Sequence, residues 1–270
     1  MQFAIQNNNK TSSTQIAKEL IQKLTALGHE HNPKAPDIVI TVGGDGTLLS
    51  AFHRHAHRLD DVRFIGVHTG HLGFYTDWRD FQVDELVASL EKDSEEELVS
   101  YPLLDVEVAY HRSGQPNHHF IALNEATIKR VEGTISCDVY IDDEPFERFR
   151  GDGLCVATPT GSTGYNKSLG GAILHPSIEA LQLTEIASIN NQVFRTLSSP
   201  LITAKDECIM VRPRDKKPLI LSVDHMVVGE EEVKWVKFTI AKEKIRFVRH
   251  RHLNFWKRVN NAFIGEVTHD

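Results

Sequence analysis

Gly43-Gly44-Asp45-Gly46-Thr47 sets one carboxylate among three glycines. Glycines let a backbone bend sharply and come close to a ligand. The run Ile38-Val39-Ile40-Thr41-Val42 precedes the loop, and Leu48 to Arg58 has helical character after it. A helix that starts here presents unpaired N–H groups and a partial positive charge, which suits phosphate. A carboxylate fixed beside phosphate can accept a hydroxyl proton or help to hold magnesium. The plainer alternative is a tight turn with Asp45 as its N-cap. Three glycines around one acid, directly after a buried strand, favour chemistry. The loop is neither Gly-x-x-x-x-Gly-Lys nor the Gly-x-Gly-x-x-Gly dinucleotide fingerprint.

Two further segments carry polar groups that a ligand would use. Asn124-Glu125 follows the strand-like run Phe120 to Leu123. An asparagine both donates and accepts, so it can read a base edge or a ribose hydroxyl. Arg148-Phe149-Arg150-Gly151-Asp152-Gly153 leads into the long stretch from Thr158 to Gly171. That stretch mixes glycines and hydroxyls with Tyr165 and Lys167. Hydroxyls and amides satisfy phosphate and sugar oxygens, and an aromatic ring stacks on a base. An ordinary polar strand end and an ordinary surface loop are the alternatives.

These residues need a scaffold. Ile16, Leu20, Leu24 and Leu27 have helical spacing, and Gly28 stops that helix. Ile38 to Val42 and Arg63 to Val67 read as buried strands. Asp77 or Asp80 is placed to cap a helix that runs through Leu90. Strands alternating with helices imply a parallel sheet. After Pro102 the period becomes two: Leu104, Val106, Val108 and Tyr110 alternate with Asp105, Glu107 and Ala109. More strands are expected at Phe120 to Leu123, Ile135 to Ile141, Cys155 to Thr158, Leu219 to Val223, Val233 to Ile240 and Ile245 to Val248. Leu181 to Asn190 is read as a helix, and Gly161 to His175 as a long irregular loop. The expected architecture is α/β + β. It has an N-terminal α/β domain over 1–100 and a β-rich, sandwich-like domain over 101–250. A segment over 251–270 packs back on the first domain, and the site lies in a cleft between the two.

Composition narrows the classes. The 270 residues are 40% hydrophobic, with 30 Lys and Arg against 37 Asp and Glu, a net charge of −7. An acidic chain has no electrostatic reason to coat nucleic acid or an anionic membrane. No apolar run reaches the roughly 18 residues that a membrane helix needs. Three scattered cysteines, with no Cys-x-x-Cys pair, argue against a disulfide framework or zinc and fit a reducing, cytoplasmic setting. The start, Met1-Gln2-Phe3-Ala4-Ile5, does not read as a signal peptide.

The glycine-acid loop, Asn124-Glu125, Gly151-Asp152-Gly153 and Thr158 to Ser168 occur together and in this order. So do His68-Thr69-Gly70-His71-Leu72-Gly73-Phe74-Tyr75 and Ser222-Val223-Asp224-His225. The whole set resembles bacterial NAD kinase, most closely the short enzymes of low-GC Gram-positive bacteria. The resemblance implies transfer of a phosphoryl group from ATP or polyphosphate to the 2′-hydroxyl of the adenosine ribose of NAD. It implies a divalent cation such as magnesium, and a homotetramer or homodimer. It makes Asp45 the general base, with Gly46 beside it against NAD, and Gly43, Gly44, Gly46 and Thr47 the donor-phosphate loop. Leu49, Phe74 and Tyr75 match positions that line the adenosine side, and Asn124 and Glu125 the pair on adenine and ribose. Arg150 and Asp152 match positions at the nicotinamide end, often supplied across a subunit interface. Thr160, Thr163, Gly164, Tyr165, Asn166, Lys167 and Ser168 match the segment around the adenosine. Ala187 matches a backbone contact, and His225 a polar residue near the dinucleotide. Thr160 stands where the family has Ser, and Gly164 where it has Ala.

The glycine-acid loop alone is shared with lipid kinases, and a non-catalytic NADP sensor is a second alternative. A lipid kinase would show a greasy acceptor pocket or a basic membrane face, and a sensor would not need Asp45. The remaining signals read as bland. His53, His55 and His57 scatter around a helix and read as a solvated face. His29-Glu30-His31 and His118-His119 read as loops, and Glu95-Glu96-Glu97 as a solvated run. The terminal segment is expected to dock through Phe255 and Trp256.

Overall fold

A computed structural model describes residues 1–70, 73–92, 98–111, 116–130, 132–248 and 254–265. The chain divides into two compact units, one formed by Met1–Ser100 with Lys244–Asp270 and one by Tyr101–Glu243.

The first unit is α/β. It contains β1 (Gln2–Asn7), α1 (Thr11–Ala26), β2 (Glu30–His31), β3 (Ile38–Val42), α2 (Asp45–His55), β4 (Arg63–His68), β5 (Trp78–Arg79) and α3 (Val83–Leu90). The strands are parallel in the order β2-β1-β3-β4, with β5 beside β4. Every residue of β3 is buried, which is why its sequence is a continuous apolar and β-branched run. α1 turns Ala17, Leu20 and Leu24 into a core that also takes Ile38, Ile40 and Val42. The chain runs from β1 out to β2 but from β3 the other way to β4. The crevice at the carboxyl ends of β1 and β3 is therefore the topological switch point, where open α/β sheets bind ligands.

The second unit is antiparallel. It holds most of β6 (Leu98–Tyr110), then β7 (His118–Ala122), β8 (Glu125–Lys129), β9 (Ile135–Ile141), β10 (Glu144–Gly151) and β11 (Gly153–Ala157). A short helix α4 (Tyr165–Ser168), β12 (Ala180–Ile186), β13 (Leu201–Ala204), β14 (Ile209–Pro213), β15 (Leu219–Val223) and β16 (Met226–Glu231) follow. One sheet has the order β13-β12-β11-β8-β15-β16. Its core side chains Ile128, Leu154, Leu181 and Leu221 pack in one cluster with Val106, Val139 and Val211 of β6, β9 and β14, which belong to the other sheet. That is a β-sandwich core. Cys137, Cys155 and Cys208 are free and buried.

The last strand, β17 (Val233–Val248), contributes residues 244–248 to the first unit, where Phe247 pairs with Phe64 of β4. The closing helix α5 (Phe255–Phe263) belongs to the same unit.

Several expectations need correction. Leu181 to Asn190 is not a helix, because residues 180–186 form β12, buried between β11 and β13. Gln182 and Thr184 break its apolar pattern, yet both are buried and hydrogen-bonded to the loop before the strand. Val233 to Ile240 and Ile245 to Val248 are one strand, not two. His55 is buried, so the histidines of α2 are not all solvated. Glu30-His31 and His118-His119 lie in strands, exposed because these are β2 and the start of β7. Neither Asp77 nor Asp80 caps α3: its N-cap position is Gln82, and in the 3-10 turn before it the Arg79 N–H donates to Gln82 Oε1 at 3.1 Å. The terminal helix buries Phe255 and Arg258 and leaves Trp256 53% exposed. His71, Leu72 and residues 95–97 lie outside the described residues.

Candidate active site

The predicted residues gather in three groups, one in the first unit and two in the second. In the first unit, Asp45 is the first residue of α2, directly after β3. It is not an N-cap. Its carboxylate accepts from the backbone N–H of Phe74 (Oδ2, 3.0 Å) and of Tyr75 (Oδ1, 3.1 Å). Gly73 has to be glycine here, since a Cβ would stand 2.2 Å from Asp45 Oδ1. Leu49 is half-buried one turn along α2 from Asp45. The Tyr75 ring is turned into the core, 7% exposed and stacked on Phe247 at 6.1 Å. Phe74 stacks on Phe263 of α5 at 5.7 Å.

A cleft of about 350 Å³ opens at the switch point. Gly44, Gly46 and Thr47 line it from the head of α2, and Gln6, Asn7 and Asn8 from the end of β1, with Ser50 beside them. Gln6 Oε1 is buried without a hydrogen-bond partner among the described residues. A buried orphan acceptor is costly, so its presence marks a place where a ligand or water completes the site. The β1 contribution was not recognised in the sequence. The polar run Gln6-Asn7-Asn8-Asn9 directly after an apolar start was the available signal.

In the second unit, Asn124 and Glu125 sit at the turn into β8, not at the end of a strand. The Asp224 carboxylate, in the turn between β15 and β16, accepts from the N–H groups of Leu123 (2.9 Å), Asn124 (2.7 Å) and Glu125 (3.2 Å). Asp224 N–H donates back to Glu125 O at 2.8 Å, which places His225 beside this turn. Thr158 locks the other side, with Oγ1 donating to Leu123 O at 2.6 Å and accepting from Gly161 N–H at 3.0 Å. Gly161 passes so close to Asn124 that a Cβ would meet its carbonyl oxygen at 2.1 Å. Gly164 lies near Glu125, where a Cβ would be 3.3 Å from Oε2. The segment predicted as irregular contains a 3-10 turn over Thr160–Thr163 and then α4.

Electrostatics single out Glu125. Burial first, and the Asp224 carboxylate second, push its carboxyl up to about 8, against the pull of Lys129. Glu125 Oε2, Thr160 Oγ1 and Asn166 Nδ2 are all buried without partners among the described residues. Lys129, which was not singled out in the sequence, donates to the Tyr165 hydroxyl at 2.8 Å and lies 4.3 Å from the ring centre. Asn166 is buried and accepts from Thr184 Oγ1 at 2.6 Å. Thr163 Oγ1 donates to Thr160 O at 3.2 Å, while Lys167 and Ser168 are exposed.

Arg150, Asp152 and Ala187 form the third group. They lie beyond the Gly153 end of the β8–β11 pair, whereas Glu125 sits at its Ala157 end. Asp152 N–H donates to Ile186 O, Ile189 N–H donates to Arg150 O at 2.7 Å, and the Arg150 guanidinium covers the Phe194 ring at 4.8 Å. Ala187 has φ +46°, a left-handed residue in the loop after β12.

Family models for the ATP-NAD kinase N-terminal domain and the ATP-NAD kinase C-terminal domain match residues 2–95 and 123–250. An NAD kinase of Lacticaseibacillus paracasei is 53% identical over 265 residues, 98% of this chain and 99% of that protein. An NAD kinase of Enterococcus faecalis is 53% identical over 266 residues, 98% of this chain and 100% of that protein. Among solved structures, yeast NADH kinase complexed with NADH shares the fold with a TM-score of 0.84 at 21% identity, covering 99% of this chain and 88% of that one. An NAD kinase from Archaeoglobus fulgidus in complex with ATP shares it with a TM-score of 0.72 at 24% identity, covering 97% of each chain.

Proposed function

Because the chain belongs to the ATP-NAD kinase family, we propose that it transfers the terminal phosphoryl group of ATP, or of polyphosphate, to the adenosine ribose 2′-hydroxyl of NAD. The products are NADP and the shortened donor. The observation that carries this reading is the Asp45 carboxylate, fixed by two backbone N–H groups at the head of a helix whose Gly44, Gly46 and Thr47 line a polar cleft.

The proton budget is simple. Each carboxylate oxygen of Asp45 spends one lone pair on an N–H and keeps another, so it can still accept a proton. The 2′-oxygen attacks the terminal phosphorus, its proton passes to Asp45, and the P–O bond to the rest of the donor breaks. Such a transition state is loose, so positioning and charge neutralisation dominate. Of the loop Gly43, Gly44, Gly46 and Thr47, the amides of Gly44 and Gly46 are suited to the donor phosphates. Gly43 N–H donates to Val67 O and Thr47 N–H to Gly44 O, so Thr47 would serve through its hydroxyl.

The residues lining the cleft are amides, hydroxyls and glycines, without a Lys or Arg. Phosphate charge there calls for a cation that arrives with the donor. Among the described residues no cluster of three Asp, Glu, His or Cys could hold a resident metal. Magnesium therefore belongs to the donor as its phosphate complex, in keeping with its habit of binding through substrate phosphates. On the acceptor side, Asn124, Glu125, Gly164 and Tyr165 supply amide, carboxyl and aromatic groups for adenine and ribose, with Thr160, Thr163, Asn166, Lys167, Ser168 and His225 around them. Arg150, Asp152 and Ala187 serve the nicotinamide end.

The working form is a homotetramer or homodimer. Phe146, Val193 and Leu197 are exposed large apolar side chains in β10 and the loop before β13, and cover by another copy would suit them. No described helix is long and apolar enough to cross a membrane. Three free, buried thiols fit a reducing cytoplasm.

Purified protein mixed with NAD, ATP and magnesium, and read with a NADP-specific dehydrogenase, tests the reading. NADP should accumulate. Folded protein that forms none with either ATP or polyphosphate would reject it, and binding of NADP without turnover would make it a sensor.

A further inference from the structure

Arg258 is a charged side chain from the far end of the chain, buried to 5% exposure in the first unit. Its Nη1 donates to the carbonyl oxygens of Gly73 (2.8 Å) and Thr76 (2.9 Å), and its Nη2 pairs with the Asp77 carboxylate. Between those acceptors sit Phe74 and Tyr75, whose N–H groups hold Asp45. One planar guanidinium thus ties together the curl of residues 73–77 on one side, while the same curl grips the catalytic carboxylate on the other. The curl has no slack toward Asp45, since Gly73 leaves no room for a Cβ there. The helix that carries Arg258 is itself anchored. Asn254 Oδ1 accepts from Trp256 N–H at 2.9 Å, Phe255 is buried, and Phe263 stacks on Phe74.

We propose that Arg258 is a positioning residue for Asp45, acting through the curl of residues 73–77. The inference rests on the reading of Asp45 as proton acceptor. Three acceptors at fixed spacing call for a planar fork of donors, which Arg has and Lys lacks. Burial lowers Arg258 to about 10, and the Asp45 carboxylate opposes that shift, so the group stays cationic at neutral pH and feels Asp45 directly.

The test is a double-mutant cycle in the full-length chain. Arg258→Met and Asp45→Asn are made singly and together, and kcat, the KM for NAD and Tm are measured for each. With Asp45 present, Arg258→Met should lower kcat about tenfold to a hundredfold, the scale of an ångström-level misplacement. With Asp45→Asn in place, the second change should cost little more. Added guanidinium ion at low millimolar concentration should restore part of kcat in Arg258→Ala and none in Arg258→Ala combined with Asp45→Asn. Equal fractional losses in both backgrounds, or a wild-type kcat in Arg258→Met, would overturn the proposal. Asp77→Asn keeps the shape and removes one partner's charge. If the Met variant does not fold, a wild-type kcat in Asp77→Asn overturns the proposal, and a loss that disappears with Asp45→Asn upholds it. An active Asp45→Asn single variant would instead reject the reading of Asp45 itself.

Discussion

A carboxylate works as a proton acceptor only while it is kept from swinging into a better-paired position. Two backbone N–H groups do this for Asp45. Asp45→Asn keeps the shape, but its amide can neither take the proton nor accept from both N–H groups, and it should lower kcat by about 10²–10⁴ or more, the usual contribution of general base catalysis. Gly73→Ala tests the curl from the other side. Its Cβ would collide with the carboxylate, so kcat should fall steeply while circular dichroism stays unchanged. Glu125 gives a prediction in pH. Its carboxyl is pushed up to about 8 in the fold, from 4.5. The fold therefore favours the protonated form, and the stability it contributes is complete below the unfolded value and is lost as pH rises through about 8. Between about pH 5 and 9, Tm should decline more steeply in wild type than in Glu125→Gln; parallel slopes would contradict the shift. At this scale the sequence was readable where chemistry shows in a side chain. Asp45, Asn124 and Glu125 declare themselves by type and neighbours. The N–H groups of Phe74 and Tyr75 do not, because every residue but proline has one. Arg258 is legible only through partners 181 to 185 residues away.

At the scale of elements, the turns carry more than the strands. Asp224 has φ +51° and gives its carboxylate to three consecutive N–H groups at the entry to β8. Asp224→Ala would leave those donors unpaired, and hydrogen bonds to a charged group are worth about 1.5–3 kcal/mol each. A large drop in Tm on thermal melting and a raised KM for NAD should follow together; a raised KM alone would mean that the turn holds without Asp224. Strand β3 was legible because burial on both faces shows as a continuous β-branched run. Strand β12 was not. It too is buried on both faces, but two of its positions are Gln182 and Thr184, whose polar atoms serve Ala172 and Asn166. Only the segment before the strand, whose Ala172 and Asn166 they hold, explains them, and those contacts, 10 and 18 residues back, follow no helix or strand period. The histidines at 53, 55 and 57 show the same limit, since helical spacing scatters them but cannot tell which one meets the core.

At the scale of the molecule, the exposed apolar side chains set the expectation. Val193 is 80% exposed beside the loop that Arg150 holds through Phe194. Val193→Asp should shift the protein to a smaller species in light scattering and lower its activity at dilute concentration. An unchanged mass would place the interface elsewhere. The split of the first unit across the two ends of the sequence bears on how the protein is made. Its parallel sheet receives Phe247, and its catalytic curl receives Arg258, only after the whole second unit has been synthesised. At about 5–20 residues per second, translation leaves the first hundred residues waiting roughly 10–30 s for their last partners. During that interval the nascent chain has Asp45 but no guanidinium behind its loop, and one flank of β4 lacks its β17 neighbour. A polysome would thus carry inert, chaperone-accessible chains, and catalytic competence would arise in a single late step, once residues 247–258 have joined the first unit.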